Sequence, residues 1–294
     1  MKSLIRWGAT LGLVASTIIG SSFIENLRAF GLTDDQIAQI LRNVPVFTVG
    51  DAKGAPLVAA VRSGQNNNNT TSVTGVFMSQ RDAQAFIDGL KKNNPELGKT
   101  VRIIPVSLAE VYKLAQTNRE QKKPLVFDLV PKQQQVDSAM AILRQNGKEV
   151  KDFTGVPVFF ATVGQGKEEG YLTIQRQNQQ VMPLFFDKEQ LQSMVEAFKK
   201  QNPKQADTVK IQVAELEGVI QTLKDKSDPM LSQIVLVPSL ESIEFLRSLP
   251  APSGNNQAAP RTNKPQPRTN TNQRPRSNTN QRRPAPTQNR RPSR

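Results

Sequence analysis

Between residues 33 and 250 the apolar positions follow two periods, and the pattern occurs twice. Short apolar runs begin at Val44 and Val156, lie near Leu57–Val61 and Tyr171–Gln175, and recur near Val73–Met78 and Val181–Phe186. Their length and their Val, Ile and Phe content predict strands. After the third run of each set, apolar residues fall at i, i+3, i+4 and i+7: Ala83, Phe86, Ile87, Leu90 and then Leu191, Met194, Val195, Phe198. That spacing is one face of an α-helix. Ser79 with Asp82, and Asp187 with Gln190, supply capping pairs at the helix starts. Asn94-Pro95 and Asn202-Pro203 end the helices, because proline and its predecessor resist helical geometry. Further strands are predicted at Val101–Val106 and Val209–Val213, then helices around Leu108–Leu114 and Leu216–Leu223. Strands at Leu125–Val130 and Ile234–Val237 lead into final helices from Pro131 and Pro238. A leading helix runs from Thr33 to Arg42, capped by Thr33 with Gln36.

The two sets are related in sequence as well as in pattern. Val44-Pro45-Val46-Phe47 recurs as Val156-Pro157-Val158-Phe159. A constant offset carries Gly75–Ser79 onto Pro183–Asp187, Asn94-Pro95 onto Asn202-Pro203, and Val101-Arg102-Ile103 onto Val209-Lys210-Ile211. The expected fold is therefore α/β (α+β) in two pseudo-symmetric halves, residues 30–150 and 151–250, each a small sheet with covering helices. Neighbouring side chains in a strand point to opposite faces. Phe47, Phe77, Phe159 and Phe185, with Met78 and Phe186 at the opposite parity, are the candidates for lining two related apolar grooves. The alternative is that both faces of each sheet are covered and all six residues are core.

Both ends differ from this body. Residues 1–29 carry Lys2 and Arg6 ahead of an apolar run from Trp7 to Ile19, followed by Gly20-Ser21-Ser22. This is the layout of a secretory signal, and the run is short for a membrane span of about 20 residues; the alternatives are an uncleaved membrane-proximal anchor and an ordinary buried helix. Residues 251–294 contain no Ile, Leu, Val, Met, Phe, Tyr or Trp, and repeat Arg268-Thr-Asn-Thr-Asn-Gln-Arg274 as Arg276-Ser-Asn-Thr-Asn-Gln-Arg282. Such a tail buries too little apolar area to offset its ordering entropy, so disorder is expected.

Net charge adds less than its total suggests. Of the +14, the tail holds ten Lys/Arg without one Asp or Glu, and residues 1–29 hold a net +2. Residues 30–250 are thus close to neutral. The basic tail suits anionic lipid, cell-wall polymer or nucleic acid, but without aromatics it has no platform for stacking bases, so nucleic acid is disfavoured as a partner. The chain has no cysteine and no histidine. That excludes disulfides, thiolate nucleophiles, zinc-finger sets and histidine triads. No other reaction centre or cofactor site assembles. Gly164, Gly166 and Gly170 stand before a strand rather than a helix, so a hairpin loop fits better than a phosphate loop. Asp128 lies in an apolar strand, where a solvent-facing position is the simpler reading.

The strings Val44-Pro-Val-Phe-Thr-Val-Gly-Asp-Ala-Lys-Gly-Ala-Pro-Leu-Val58, Gly75-Val-Phe-Met-Ser-Gln-Arg-Asp-Ala-Gln-Ala-Phe86, Asn94-Pro-Glu-Leu97, Pro105-Val-Ser-Leu-Ala-Glu-Val-Tyr-Lys113 and Val130-Pro-Lys-Gln-Gln-Gln-Val136 resemble a known family. As a set they are similar to the twenty-two-kilodalton component of the chloroplast inner-envelope protein translocon, in its cyanobacterial form. The resemblance covers about residues 30–250 and leaves out the tail. It implies a protein of the space between two membranes, the periplasm in a bacterium, with apolar pockets and no catalytic residues to carry over. Its expected partners are unfolded or transiting polypeptides and the outer-membrane protein assembly machinery.

The function expected is a non-enzymatic periplasmic chaperone or binding factor. The first alternative is an exported scaffolding module whose basic tail grips anionic surfaces. The second is an exported enzyme of unknown specificity.

Overall fold

The computed structural model describes residues 31–63, 69–120 and 125–249. The expected signal segment and the basic tail lie outside the described residues.

The chain opens with α1 (Asp34–Leu41), capped as expected: Thr33 Oγ1 accepts from Gln36 N, and Thr33 N donates to Gln36 Oε1. The first sheet then uses β1 (Pro45–Gly50), β2 (Ala59–Ser63), β3 (Asn69–Phe77), β4 (Arg102–Ser107) and β5 (Leu125–Val130). Helices α2 (Gln80–Asn93), α3 (Pro95–Thr100), α4 (Leu108–Glu120) and α5 (Gln133–Gln145) connect or follow these strands. The second sheet uses β6 (Pro157–Val163), β7 (Gly170–Tyr171), β8 (Ile174–Arg176), β9 (Gln179–Phe185), β10 (Lys210–Glu215) and β11 (Ile234–Val237). Its helices are α6 (Lys188–Gln201), α7 (Leu216–Asp225) and α8 (Leu240–Ser248).

In the first sheet β4, β1, β3 and β5 are neighbours in that order, and β3 with β5 is the parallel pair. In the second the order is β10, β6, β9, β11, with β9 and β11 parallel. Phe47 pairs with Phe77 in one sheet and Phe159 with Phe185 in the other. The glycine loop at 164–170 joins the antiparallel strands β6 and β7, which makes it a hairpin connection.

Every one of these central strands is apolar on both faces, so each sheet needs cover on two sides. The inner faces meet. Val46, Val76 and Met78 from the first sheet and Val158, Leu184, Phe186 and Leu236 from the second share one core with Ile37 and Leu41 of α1, Leu108 and Val111 of α4, and Leu216 and Leu223 of α7. On the outer face of the first sheet Phe47, Val49 and Phe77 lie under Ala83 and Ile87 of α2. On the outer face of the second, Phe159, Ala161 and Phe185 lie under Leu191, Val195 and Phe198 of α6.

The remaining outer cover is exchanged. α5 leaves the first sheet and packs Ala139 and Ile142 onto the outer face of the second. α8 leaves the second sheet and packs on the first, where the Phe245 ring meets Phe47 edge-on at 5.2 Å. The faces of Phe47, Phe77, Phe159 and Phe185 expected to form grooves are therefore covered, while Met78 and Phe186 meet at a small depression beside Lys132, Gln135 and Asp187. Exposure is 0% for Phe47 and Phe159, 7% for Phe77 and Phe185, 8% for Met78 and 5% for Phe186. The first four face outward under α2, α8, α6 and α5, and the other two face the shared core.

Each exchanged helix also caps a helix of the sheet it covers. Glu241 of α8 accepts from Ser79 Oγ (2.8 Å) and from Arg81 N (3.2 Å) at the start of α2. Gln135 of α5 accepts from Lys188 N (3.0 Å) at the start of α6 and donates to Glu189 (2.9 Å). Asp187 was expected to cap its own helix. Instead it accepts from Leu240 N of α8 at 3.2 Å. Lys132 lies between Asp187 (3.9 Å) and Glu241 (3.6 Å). Phe86, expected on the buried face of α2, is 44% exposed and packs at its edge against Phe77.

Burial opposes ionisation of Glu241, but the bonds from Ser79 and Arg81 and the charge of Lys132 outweigh it and lower its pKa. For Asp187 burial wins over Lys132 and raises the pKa. Glu241 thus stabilises the fold above the unfolded-state pKa of glutamate, and that contribution is lost as pH falls through the lower folded value. Asp187 acts in the opposite sense, favouring the fold less as pH rises through its folded pKa. Glu241→Ala should cost about 1.5–3 kcal/mol in urea unfolding at neutral pH, and the difference from wild type should shrink toward acid. Phe47→Ala should cost about 3–5 kcal/mol, read in the same experiment.

Candidate functional site

The strands at the two sheet edges, β5 and β11, are not covered alike. The inner face of β11 is packed by α1, with Ile234 and Leu236 buried in the shared core. On β5 the alternation puts Phe127 and Leu129 on the inner face and Val126 and Asp128 outside, the latter two exposed. Asp128 therefore faces solvent, as the simpler reading of the sequence held.

Above Phe127 and Leu129, between α4 and α7, the surface opens into a groove of about 260 Å³. α4 contributes Leu108, Val111, Tyr112, Ala115, Gln116 and Arg119, all on one helix face. α7 contributes Glu217, Ile220, Gln221 and Lys224 at the same helical spacing, and α1 contributes Leu41. Leu41, Leu108 and Val111 are buried and form the base, while Phe127, Leu129 and Ile220 are half-buried. The polar side chains stand around the apolar ones.

One part of this rim is tied together. Asp34, in the first turn of α1, accepts from the Tyr112 hydroxyl, from Gln116 Nε2 (3.3 Å) and pairs with Lys224 Nζ (3.2 Å). Lys224 also lies 5.2 Å from the centre of the Tyr112 ring. The Tyr112 bond is the main cause of a lowered Asp34 pKa. Burial, then the Asp34 bond, pushes Tyr112 up. Lys224 is raised as well, its bonds to Tyr112 and Asp34 outweighing its desolvation. At neutral pH the tyrosine is protonated and the lysine charged, so neither is a nucleophile or a base. Glu217 is raised by desolvation of its carboxyl, with Glu215 and Asp128 nearby, although the residue as a whole is exposed.

A second depression, about 320 Å³, lies between α1 and β11. Gln36, Gln39, Asn43, Arg176 and Ser232 make it more polar, with Leu32, Ile40, Ile234, Val235 and Leu236 as its apolar part. Among the described residues no group of three Asp or Glu could share a metal ion, and no helix is long and apolar enough to cross a membrane. What the first groove offers is apolar contact area with a polar rim, the usual makeup of a site for apolar side chains.

None of the six residues expected to line a groove borders this one. The sequence pattern did mark its walls as helices and its base as a strand. It gave no sign that α4 and α7, more than ninety residues apart, flank β5.

Comparison with known proteins agrees with this architecture. The sequence matches the Tic22-like family over residues 2–248. A chloroplastic TIC 22-like protein of Arabidopsis thaliana is 28% identical over 216 residues, 71% of this chain and 62% of its own length. The chain thus spans about three-fifths of that relative. The chloroplastic TIC 22 of Pisum sativum is 21% identical over 220 residues, 74% of this chain and 79% of the pea protein. Among solved structures, Anabaena Tic22, described as a protein-transport protein, aligns with a TM-score of 0.67 and 36% identity over 75% of this chain and 99% of its own. Tic22 from Plasmodium falciparum shares the fold at a TM-score of 0.55, with 21% identity over 71% of this chain and 95% of its own. The family match over nearly the whole chain, on a fold shared with Anabaena Tic22, establishes that this protein belongs to the Tic22-like family, a family associated with protein transport.

Proposed function

We propose that the protein is a non-enzymatic binding factor for unfolded or transiting polypeptides, holding their apolar side chains in the groove between α4 and α7. The carrying observation is the groove itself: Phe127, Leu129 and Ile220 stand half-buried over a base of Leu41, Leu108 and Val111, open between α4 and α7. A client residue seated there gains about 25 cal/mol per Å² of apolar surface removed from water. This contact reads no sequence, which suits a factor that meets many chains. Among the described residues no strand pairs with the outer edge of β5 beside the groove, so its backbone groups are an edge to which an extended client can align.

The setting proposed is the periplasm, supported by Lys2, Arg6 and the apolar run after them and by the protein-transport description of the Anabaena relative. There the clients are chains on their way to the outer membrane, handed on to its assembly machinery. The basic tail adds weak, salt-sensitive contact with anionic surfaces, screened over about 8 Å at physiological ionic strength.

Filling the groove tests the site without opening a cavity. Ala115→Trp should reduce suppression of aggregation of a chemically unfolded client severalfold, with the melting temperature close to wild type. Full suppression by this variant would remove the groove as the client site. Deleting residues 251–294 should leave suppression unchanged; its loss would favour a scaffold that works through the tail.

A further inference from the structure

We propose that the groove between α4 and α7 is the empty counterpart of the seat that α1 fills, and that it takes a short amphipathic helix of a client polypeptide. The inference rests on the reading of this groove as a client site and names the form its ligand takes.

The two sheets correspond position by position here. In the parallel pair of β3 and β5, Phe127 lies opposite Thr74 and Leu129 opposite Val76. In the parallel pair of β9 and β11, Ile234 lies opposite Met182 and Leu236 opposite Leu184. Phe127 and Leu129 are thus the counterparts of Ile234 and Leu236. α4 and α7 begin alike as well: Leu108 N donates to Val44 O and Leu216 N to Val156 O, both at 2.8 Å. Counting on from these leucines, Tyr112, Lys113 and Gln116 of α4 correspond to Ile220, Gln221 and Lys224 of α7.

α1 covers one set of these positions. It lies on β11, where Ile234 and Leu236 are only 6% and 5% exposed. On α4, Tyr112 and Gln116 donate to Asp34, and Lys113 pairs with Asp35 at 3.1 Å. The counterpart set lines the open groove: Ile220, Gln221 and Lys224 on α7, and Phe127 and Leu129, both half-buried, on β5. Residues 146–156, which precede β6 as α1 precedes β1, form no helix, and Phe153 among them packs instead against the outer core of the second sheet.

What fits the empty seat follows from what fills its twin. α1 buries Ile37, Ala38 and Leu41, at i, i+1 and i+4, and carries Asp34 and Asp35 in its first turn. In the empty seat Lys224 stands where α1 meets Gln116, and Arg119 lies on the same rim, so an acidic first turn meets cations there. The ligand is therefore a helix of about two turns, with two large aliphatic residues four apart and an acidic start. Many sequences satisfy that pattern. The depression between α1 and β11 is a different case: Ile234 and Leu236 are already buried there, and α1 is the one helix that walls it.

A fluorescent peptide of residues 32–43, with a hydrocarbon staple joining the exposed positions 39 and 43, should bind the full chain. It should bind at least about tenfold more tightly than a permuted, unstapled peptide of the same composition with apolar residues at alternate positions. Ala115→Trp should abolish this binding and leave the melting temperature close to wild type. The chain has no native cysteine, so the place of binding is read by disulfide capture. Under mild oxidation the stapled peptide carrying Asp35→Cys should be captured by Gln221→Cys, the counterpart of Lys113, and not by Gln39→Cys in the other depression. Capture at Gln39→Cys, or no binding of the stapled peptide, would overturn the proposal. So would a wild-type chain that sediments as a dimer and is dissociated by the peptide, since the seat would then belong to a second copy. Equal binding of both peptides, lost together in Ala115→Trp, would overturn the helical form and leave the groove as the client site. Capture at Gln221→Cys with client protection intact in Ala115→Trp would leave the helix seat standing and remove the client reading alone.

Discussion

A sheet that is apolar on both faces has to be covered twice, and this protein contains two such sheets. Placing them face to face covers two of the four faces with a single core, running from Val46 and Val76 to Val158 and Leu184. The outer faces are then completed by trading helices. α5 closes the second sheet and α8 the first, and each supplies the cap for a helix already there. The polar cluster of Lys132, Asp187, Glu241 and Gln135 sits where the traded helices begin. It ties the four helix starts to one another, so neither sheet can lose its borrowed helix without exposing both Phe47-type side chains and unpaired caps.

The groove follows from the same constraint. α1 covers the β11 side and α4 reaches over β5 without closing onto α7, which leaves Phe127 and Leu129 half-buried in the opening between the two helices. Function in this reading uses an incompletely covered edge rather than a set of reactive groups. The Asp34–Tyr112–Lys224 cluster at its rim fits that role: its pKa shifts hold each member in its ordinary protonation state at neutral pH.

Much of the fold was legible because its signals are local. The helices α2 and α6, the Thr33–Gln36 capping box and the proline stops after Asn94 and Asn202 lie within single segments and appear where the pattern puts them, although Phe86 of the predicted α2 face lies at its exposed margin. The parity of the central strands was legible too: Phe47 and Phe159 point one way, Met78 and Phe186 the other. What could not be read was which helix covers which sheet. Val130-Pro131 and Val237-Pro238 announce a helix start but not its destination, and the exchange of α5 and α8 completes the cover over Phe47, Phe77, Phe159 and Phe185, while Met78 and Phe186 are buried where the two sheets meet. Asp187 shows the same limit on a smaller scale, since its capping pattern is local but its partner, Leu240 N, belongs to the traded helix.

The claim that the groove between α4 and α7 is the working surface is tested most directly by hydrogen exchange of the full chain with and without saturating unfolded client. Backbone amides at the free edge of β5 and along the groove-facing turns of α4 and α7 should exchange more slowly when client is present, with α2 and α6 unchanged. Slowing confined to α2, α6 or the basic tail, or no change anywhere, would contradict the account.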